Sequence, residues 1–111
     1  MRCEHDIDAQ LIAAIKRNDP ISYNKLFIRY YVRLCKYVYS ILLNKDDAED
    51  IIQELFLYIW DNRKKIDIQE NVSGYLYKMS KNLTLNHIRK NATYRVALEK
   101  QKKLSPEYIE E

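Results

Sequence analysis

The sequence contains few of the residues that break helices or build tight turns. Its 111 residues include one glycine and two prolines, while 32% of the residues are charged. Sandwiches and barrels need many tight turns, whereas long helices contain few glycines and prolines. The composition therefore predicts an all-α protein. The chain length and a hydrophobic content of 47% predict one domain with a modest core.

Cysteines, long apolar runs and ligand clusters are also scarce. Cys3 and Cys35 are far apart and lie in no ligand-spaced group, which favours a reducing compartment over a disulfide scaffold. No apolar run approaches the roughly 18 residues of a membrane span, and the N-terminus lacks a signal-peptide core. We expect a cytoplasmic protein without membrane insertion. Cys3 with His5, or His87, is the only hint of an enzyme or metal protein, and no cluster supplies enough ligands or an acid-base pair. We therefore expect no catalytic residue, metal or cofactor.

The charges are segregated along the chain, although the formal net charge is only +3. Between Asp46 and Asp61 there are six acidic residues and no basic residue. Between Asn62 and Lys103, eleven basic residues stand against three acidic ones. The first segment suits a basic partner and the second suits phosphate groups. We expect an anionic and a cationic surface on opposed sides of one small bundle.

Apolar periodicity predicts a compact bundle of about four helices. The first runs from about Asp6 to Asn18, and Asp19 can cap the second because Pro20 suits the first helical position. The predicted helices are about 6–18, 20–43, 48–60 with an N-cap within 44–47, and a fourth from about 73, after an ordered loop over 61–72. The stripe of the second helix consists of Tyr23, Leu26, Phe27, Tyr30, Leu34, Tyr37, Val38 and Ile41. In the fourth helix, Leu76, Met79, Ser80, Leu83 and His87 are expected to face the core, and Lys78, Lys81, Asn82, Leu85 and Arg89 to face solvent.

The C-terminal residues are more polar than the rest. From Asn91 onward apolar residues become fewer, and Ser105 and Pro106 are typical of a linker. We expect a helical domain over residues 1–91, followed over residues 92–111 by a helical extension and the start of a linker.

Three segments carry a resemblance to a known family. Residues 48–60 read AEDIIQELFLYIW, which resembles the signature of the second conserved region (region 2) of sigma-70-family factors of the extracytoplasmic-function (ECF) type. Residues 16–31 look like the opening helices of that region, and residues 75–89 are similar to its DNA-reading helix. The resemblance spans about Asp8 to Lys90. Gly74 and Tyr75 stand where the family usually has Ala and Trp, and Asn86 stands where Asp is common, which puts the base preference in doubt.

The resemblance implies a protein partner, core RNA polymerase. In the family, the third helix docks on the clamp helices of the largest polymerase subunit, and Asp50, Gln53 and Glu54 match the docking positions. Their i, i+3, i+4 spacing places them on one face, off the apolar stripe, where they could pair with basic groups. The alternative is a solvated acidic face without a partner.

The resemblance also implies a DNA partner, the nontemplate strand of the promoter minus-ten element. One base would leave the stack and enter a pocket formed by the loop before the fourth helix. The residues expected to form the pocket are Asn62, Ile66, the segment 67–72 with Asn71, Tyr75, Met79 and Asn82. Phosphate contacts are expected from Lys64, Lys78, Lys81 and Arg89. The alternative for Tyr75 and Met79 is plain core packing.

Two further expectations follow from the family and one competes with it. The family implies an anti-sigma factor as a partner, and a helix-turn-helix domain (region 4) that this sequence does not contain. The competing hypothesis is a helical protein-protein interaction module without DNA binding. That module would show no salt-sensitive binding to single-stranded DNA.

Overall fold

The computed structural model describes residues 4–68 and 71–104, and these residues form four α-helices and no strand. The helices are α1 (Glu4–Lys16), α2 (Pro20–Leu42), α3 (Lys45–Asp61) and α4 (Val72–Leu104). The predicted all-α fold is confirmed. The predicted linker residues 105–111 lie outside the described residues, as does Cys3.

The start of α2 is set by its first residues. Asp19 is the N-cap, and its Oδ1 accepts a hydrogen bond of 3.0 Å from the backbone N–H of Ile21. Ser22 Oγ donates to Asp19 Oδ2 at 2.7 Å, and this hydrogen bond is the main cause that holds the pKa of Asp19 below its ordinary value. Pro20 occupies the first helical position, where no N–H is required. The predicted cap is confirmed.

Two helix ends differ slightly from the prediction because the chain enters the left-handed region there. Asn18 has a φ of 69°, so α1 ends at Lys16 rather than at Asn18. Leu43 has a φ of 55°, and its backbone N–H donates to the carbonyl of Tyr39 at 2.8 Å, which ends α2 at Leu42. Asn44 then caps α3, because its Oδ1 accepts from the N–H of Asp47 at 3.0 Å.

The core is formed by one face of each helix and by Ile66 of the loop. It follows the predicted stripe of α2, except that Ile41 is 41% exposed near the helix end. Burying this many apolar side chains provides most of the stability of such a bundle. The buried hydrophobic residues are Ile15, Leu26, Tyr30, Leu34, Val38, Ala48, Ile51, Ile52, Leu55, Phe56, Ile59, Ile66, Val72 and Leu76.

Tyr23 connects α2 to α3 through both ends of its side chain. Its hydroxyl donates to the carbonyl of Phe56 at 2.7 Å, and its ring centroid lies 5.0 Å from that of Trp60. Burial raises the pKa of Tyr23, and the nearby carboxylate of Asp61 raises it further. The side chain therefore stays neutral and keeps its hydroxyl as a donor.

A buried carboxylate joins α1 to α2. Asp8 is 1% exposed, accepts a hydrogen bond from the hydroxyl of Tyr30 and pairs with Nε of Arg29 at 2.9 Å. A buried charge is tolerated only when it is paired and hydrogen-bonded in this way. Asp8 lies four residues before Ile12 and seven before Ile15, so an acid on the apolar stripe was the signal in the sequence.

The first half of helix α4 packs on the bundle. Val72, Leu76, Ser80 and Thr84 are buried at four-residue spacing. The two hydroxyls are satisfied within the helix, since Ser80 Oγ donates to the carbonyl of Leu76 and Thr84 Oγ1 to that of Ser80, both at 2.8 Å. His87 was expected in the core but is half-buried at its edge, with Nε2 3.4 Å from Asp47 Oδ2. The helix continues through the predicted boundary at residue 91 to Leu104.

Candidate functional site

The acidic face of α3 is exposed, as the sequence predicts. Asp50, Gln53 and Glu54 are exposed, while Ile51, Ile52 and Leu55 on the opposite face are buried. Gln53 lies close to the side chain of Tyr31 of α2. The three polar side chains therefore form one patch, here called the acidic face, next to α2.

A cavity of about 460 Å³ lies between α3, the loop and the first turns of α4. Tyr58, Tyr75, Met79 and Leu83 supply apolar walls, and four polar side chains surround them. Volumes of about 300–1,000 Å³ are usual for small-molecule pockets, so a nucleobase is within the size that this cavity can hold. The polar side chains are Glu54, Asp67, Lys78 and Asn82.

Four of the ten residues predicted to bind DNA meet in this cavity. Tyr75, Lys78, Met79 and Asn82 follow one another at i, i+3, i+4 and i+7, so α4 presents them on one face. Tyr75 and Met79 are half-buried, while Lys78 and Asn82 are exposed. Their side chains combine a packed aromatic surface with an accessible amide and ammonium group.

Three of the residues predicted to bind DNA stabilise the fold. Ile66 is 7% exposed and belongs to the core. Asn71 caps α4, since its Oδ1 accepts from the N–H of Gly74 at 2.6 Å, and it lines a different cavity against α1. Asn62 follows the last residue of α3, and its Nδ2 donates to the carbonyl of Tyr58 at 3.0 Å. None of the three lines the cavity between α3 and α4.

The other three predicted residues lie outside the cavity. Lys64 is exposed on the loop and Lys81 is exposed on α4. Arg89 lies two turns beyond Asn82, and its Nη1 donates to Asn86 Oδ1 at 3.2 Å. Of the loop segment 67–72, Asp67 lines the cavity, Val72 is buried, and residues 69 and 70 lie outside the described part of the chain.

Comparison with known proteins gives the family. The sigma-70 region 2 family model matches residues 26–94, which is more than half of the chain. The chain belongs to this family. It is also 33% identical over 79 residues to the ECF RNA polymerase sigma factor SigW of Bacillus subtilis (strain 168). That match covers 71% of this chain and 42% of the relative, so the chain spans less than half the length of the curated protein it resembles.

The ECF sigma resemblance that was seen in the residues is confirmed. The family model begins at Leu26, so the looser resemblance of residues 16–23 lies outside the residues it matches.

The expectation of two opposed surfaces is wrong for this sigma region 2 chain. Glu54 belongs to the acidic face and also lines the cavity with Lys78 and Asn82. The two surfaces therefore adjoin along α3. The reason is helical spacing, because Asp50, Glu54 and Tyr58 are four residues apart and lie on one side of α3. Tyr58 was not among the residues predicted to form the pocket, although its four-residue spacing from Glu54 could have indicated that it lies there.

The loop after α3 is held by Arg63, a residue that sequence reasoning treated only as one of the basic charges. Its Nη1 donates to the carbonyl of Trp60 at 2.6 Å, and its Nε donates to Asn18 Oδ1 at 2.8 Å. The guanidinium also lies 4.2 Å from the centroid of the Trp60 ring. These contacts tie the loop to the end of α1. No local signal in the sequence pairs Asn18 with Arg63.

Other kinds of site find little support in the described residues. Within residues 4–68 and 71–104, no group of three or more His, Cys, Asp or Glu side chains is arranged to hold a metal ion. Burial raises the pKa of the Cys35 thiol, with Glu49 adding to the shift and a hydrogen bond with Tyr31 opposing it. No described helix is both long enough and apolar enough to cross a membrane.

Proposed function

We propose that this chain is the domain of an ECF sigma factor that docks on the clamp helices of core RNA polymerase and melts the promoter minus-ten element. The observation that carries the proposal is the cavity between α3 and α4, lined by Tyr75, Met79, Asn82 and Lys78 and bordered by the acidic face. Transcription takes place on the chromosome, so the proposal places the protein in the cytoplasm.

The cavity has the chemistry that an unstacked base requires. An aromatic wall at Tyr75 and a thioether at Met79 can pack on the faces of a base, which is sequence-tolerant. Asn82, Glu54 and Asp67 line the cavity, and their polar groups can hydrogen-bond the edge of a base. Carboxylates accept hydrogen bonds from exocyclic amino groups, so these two acids favour adenine or cytosine over thymine.

The cations at the rim serve a different purpose. Lys78 lies at the cavity, and Lys81 is exposed three residues later on α4. Such side chains hold phosphates, which position the strand without reading its sequence. The acids that line the cavity repel phosphate, so the base enters the cavity while the backbone stays outside.

The acidic face supplies the polymerase contact in this proposal. Asp50, Gln53 and Glu54 are exposed and their helix is held from behind by the core. Carboxylates carried on one helix that is fixed by the core can pair with basic side chains of a partner helix. The family also implies an anti-sigma factor as a partner, and we include it in the proposal without assigning it residues.

Docking is tested by reversing charge on the acidic face. We expect Asp50→Lys with Glu54→Lys to abolish binding to core polymerase in a pull-down or anisotropy assay, with little change in melting temperature because both side chains are exposed. Asp6→Lys is a control reversal of an exposed carboxylate on α1 rather than α3, and it should leave binding intact. Retained binding of the double variant contradicts the docking role.

DNA recognition is tested by comparing a base contact with a phosphate contact. We expect Asn82→Ala to reduce discrimination among minus-ten sequences in single-stranded oligonucleotides. Lys81→Ala should weaken all sequences similarly and lower the dependence of affinity on salt by about one phosphate contact. Equal effects of the two variants contradict a base pocket. Complete absence of salt-dependent binding to single-stranded DNA would favour the helical interaction module.

A further inference from the structure

The outer face of α2 carries an exposed apolar stripe that the core does not use. Ile21, Ile28, Val32 and Tyr39 are exposed to 67%, 69%, 59% and 47% respectively. They are seven, four and seven residues apart. Because an α-helix turns by about 100° and rises by about 1.5 Å per residue, the four side chains lie within about 40° of one another around the helix axis and span about 27 Å along it. A continuous apolar stripe of this length on a soluble domain marks a surface that a partner covers.

Recesses lie on both sides of this outer stripe. Between α2 and α3 a groove of about 400 Å³ includes Val32, Lys36, Tyr39, Lys45 and Glu49 among its lining residues. Between α1 and α2 a groove of about 500 Å³ includes Ile7, Leu11, Lys25 and Ile28. Helices pack by placing the ridges of one into the grooves of another, so the outer stripe and its recesses fit a helix.

The charge on α2 selects the kind of helix. α2 contains four basic residues and no acidic residue. Lys25 and Lys36 are both exposed; Lys25 lines the groove on the α1 side of the outer stripe, and Lys36 lines the groove on the α3 side. A partner helix with acidic residues along both of its edges gains favourable electrostatics with these two lysines, and a basic one is repelled.

A second copy of the chain fits this surface poorly. Ile21 and Tyr39 are equally distant in sequence from Tyr30, so a twofold antiparallel pairing of two α2 helices would align the two outer stripes. Such a pairing would bring the basic residues of two α2 helices to one interface, and α2 contains no acidic residue that could pair with them. Like charges at that interface oppose association.

We propose that the outer stripe binds an amphipathic helix of another protein, with an apolar face against Ile21, Ile28, Val32 and Tyr39 and acidic residues facing Lys25 and Lys36. None of the four stripe residues lines the cavity between α3 and α4. The proposal therefore stands apart from the proposed DNA site, and each can fail without the other.

The test uses a synthetic three-heptad peptide with leucine at the first and fourth heptad positions and glutamate at the flanking positions. Its matched control carries lysine at the flanking positions. By fluorescence anisotropy, we expect the glutamate peptide to bind the chain at least about tenfold more tightly than the lysine peptide, since the flanking charges differ only in sign.

Two variants decide whether the outer stripe is responsible. Ile28→Ser with Val32→Ser should weaken the glutamate peptide about tenfold or more, and circular dichroism should show an intact helical fold because both side chains are more than half exposed. Lys25→Glu with Lys36→Glu keeps the stripe and should reverse the preference between the two peptides. Equal binding of both peptides, binding of neither, or binding unaffected by the serine variant overturns the proposal. So does self-association that depends on Val32, which would assign the surface to a second copy.

Discussion

Replacing Tyr75 with alanine tests directly whether the cavity between α3 and α4 holds an unstacked base. Tyr75 is half-buried on the cavity wall, one turn before Met79. Stacking of a base on an aromatic side chain contributes about 1–3 kcal/mol. Because part of the ring is already covered by the protein, the lower part of this range applies, about 1–2 kcal/mol. This corresponds to a roughly 5- to 30-fold weaker Kd for single-stranded minus-ten DNA.

The assay is fluorescence anisotropy with a labelled nontemplate-strand oligonucleotide at fixed salt, because affinity depends strongly on ionic strength. Tyr75→Phe keeps the ring and should bind nearly as well as the unmodified protein. Tyr39→Ala is the matched control, since Tyr39 is an exposed tyrosine on α2 that does not line the cavity. Melting curves establish that each variant is folded.

A second oligonucleotide, with an abasic nucleotide in place of the base that is expected to enter the cavity, tests whether Tyr75 contacts that base. If Tyr75 stacks on that base, Tyr75→Ala should weaken the intact oligonucleotide but not the abasic one, as in a double-mutant cycle. Stacking of the captured base on Tyr75 is refuted if folded Tyr75→Ala binds the intact oligonucleotide within about twofold of the unmodified protein. It is also refuted if the substitution weakens binding of the abasic oligonucleotide to the same extent.

The remaining predictions concern the parts of the fold that support the site. Asp8→Ala removes the buried carboxylate that accepts from the Tyr30 hydroxyl and pairs with Arg29, so chemical unfolding should show a loss of about 3 kcal/mol. The exposed Asp6→Ala should change stability by less than about 0.5 kcal/mol, and similar losses from both would contradict a stabilising role of the buried carboxylate. Asp19 has a pKa below the ordinary 3.8 in the folded state, so its carboxylate stabilises the fold above that pH. In urea unfolding, Asp19→Ala should lose more free energy of unfolding at pH 7 than at low pH, and the loss should shrink as the pH falls below 3.8. A loss that does not depend on pH would contradict this role of the carboxylate. Arg63→Ala removes the hydrogen bonds that join the loop to Asn18 and Trp60. Amide hydrogen exchange in residues 62–68 should therefore become faster, while the amides of α2 stay protected. Unchanged exchange in the loop would contradict the anchoring role of Arg63.

Much of the helical framework follows from chemistry between residues close in sequence. Asp19 and Pro20 define the start of α2, and Asn44 defines the start of α3, because a cap acts on an N–H two or three residues away. The exposure of Asp50 and Glu54 also follows from their spacing relative to Ile51 and Leu55. The resemblance to sigma region 2 depends on the same local strings, which is why it could be recognised before the fold was known.

The outer stripe of α2 marks a limit of periodicity. A helix of 23 residues with this many apolar positions offers two stripes, one through Leu26 and Leu34 and another through Ile28 and Val32. The inner stripe was identified correctly. The exposure of the outer stripe was not predicted, because periodicity alone does not show how much apolar surface of α2 the other helices can cover.

The set of helices, the caps of α2 and α3, the family and the exposed acidic face could therefore be predicted from residues close in sequence. The fold itself was needed to show that Asp8 is buried against Tyr30, that Arg63 reaches Asn18, and that Glu54 and Tyr58 complete the cavity with Tyr75. Capping and periodicity act within one or two turns of a helix, whereas these contacts join residues about 20 to 45 positions apart. Their partners are chosen by how the four helices pack, which depends on the whole core at once.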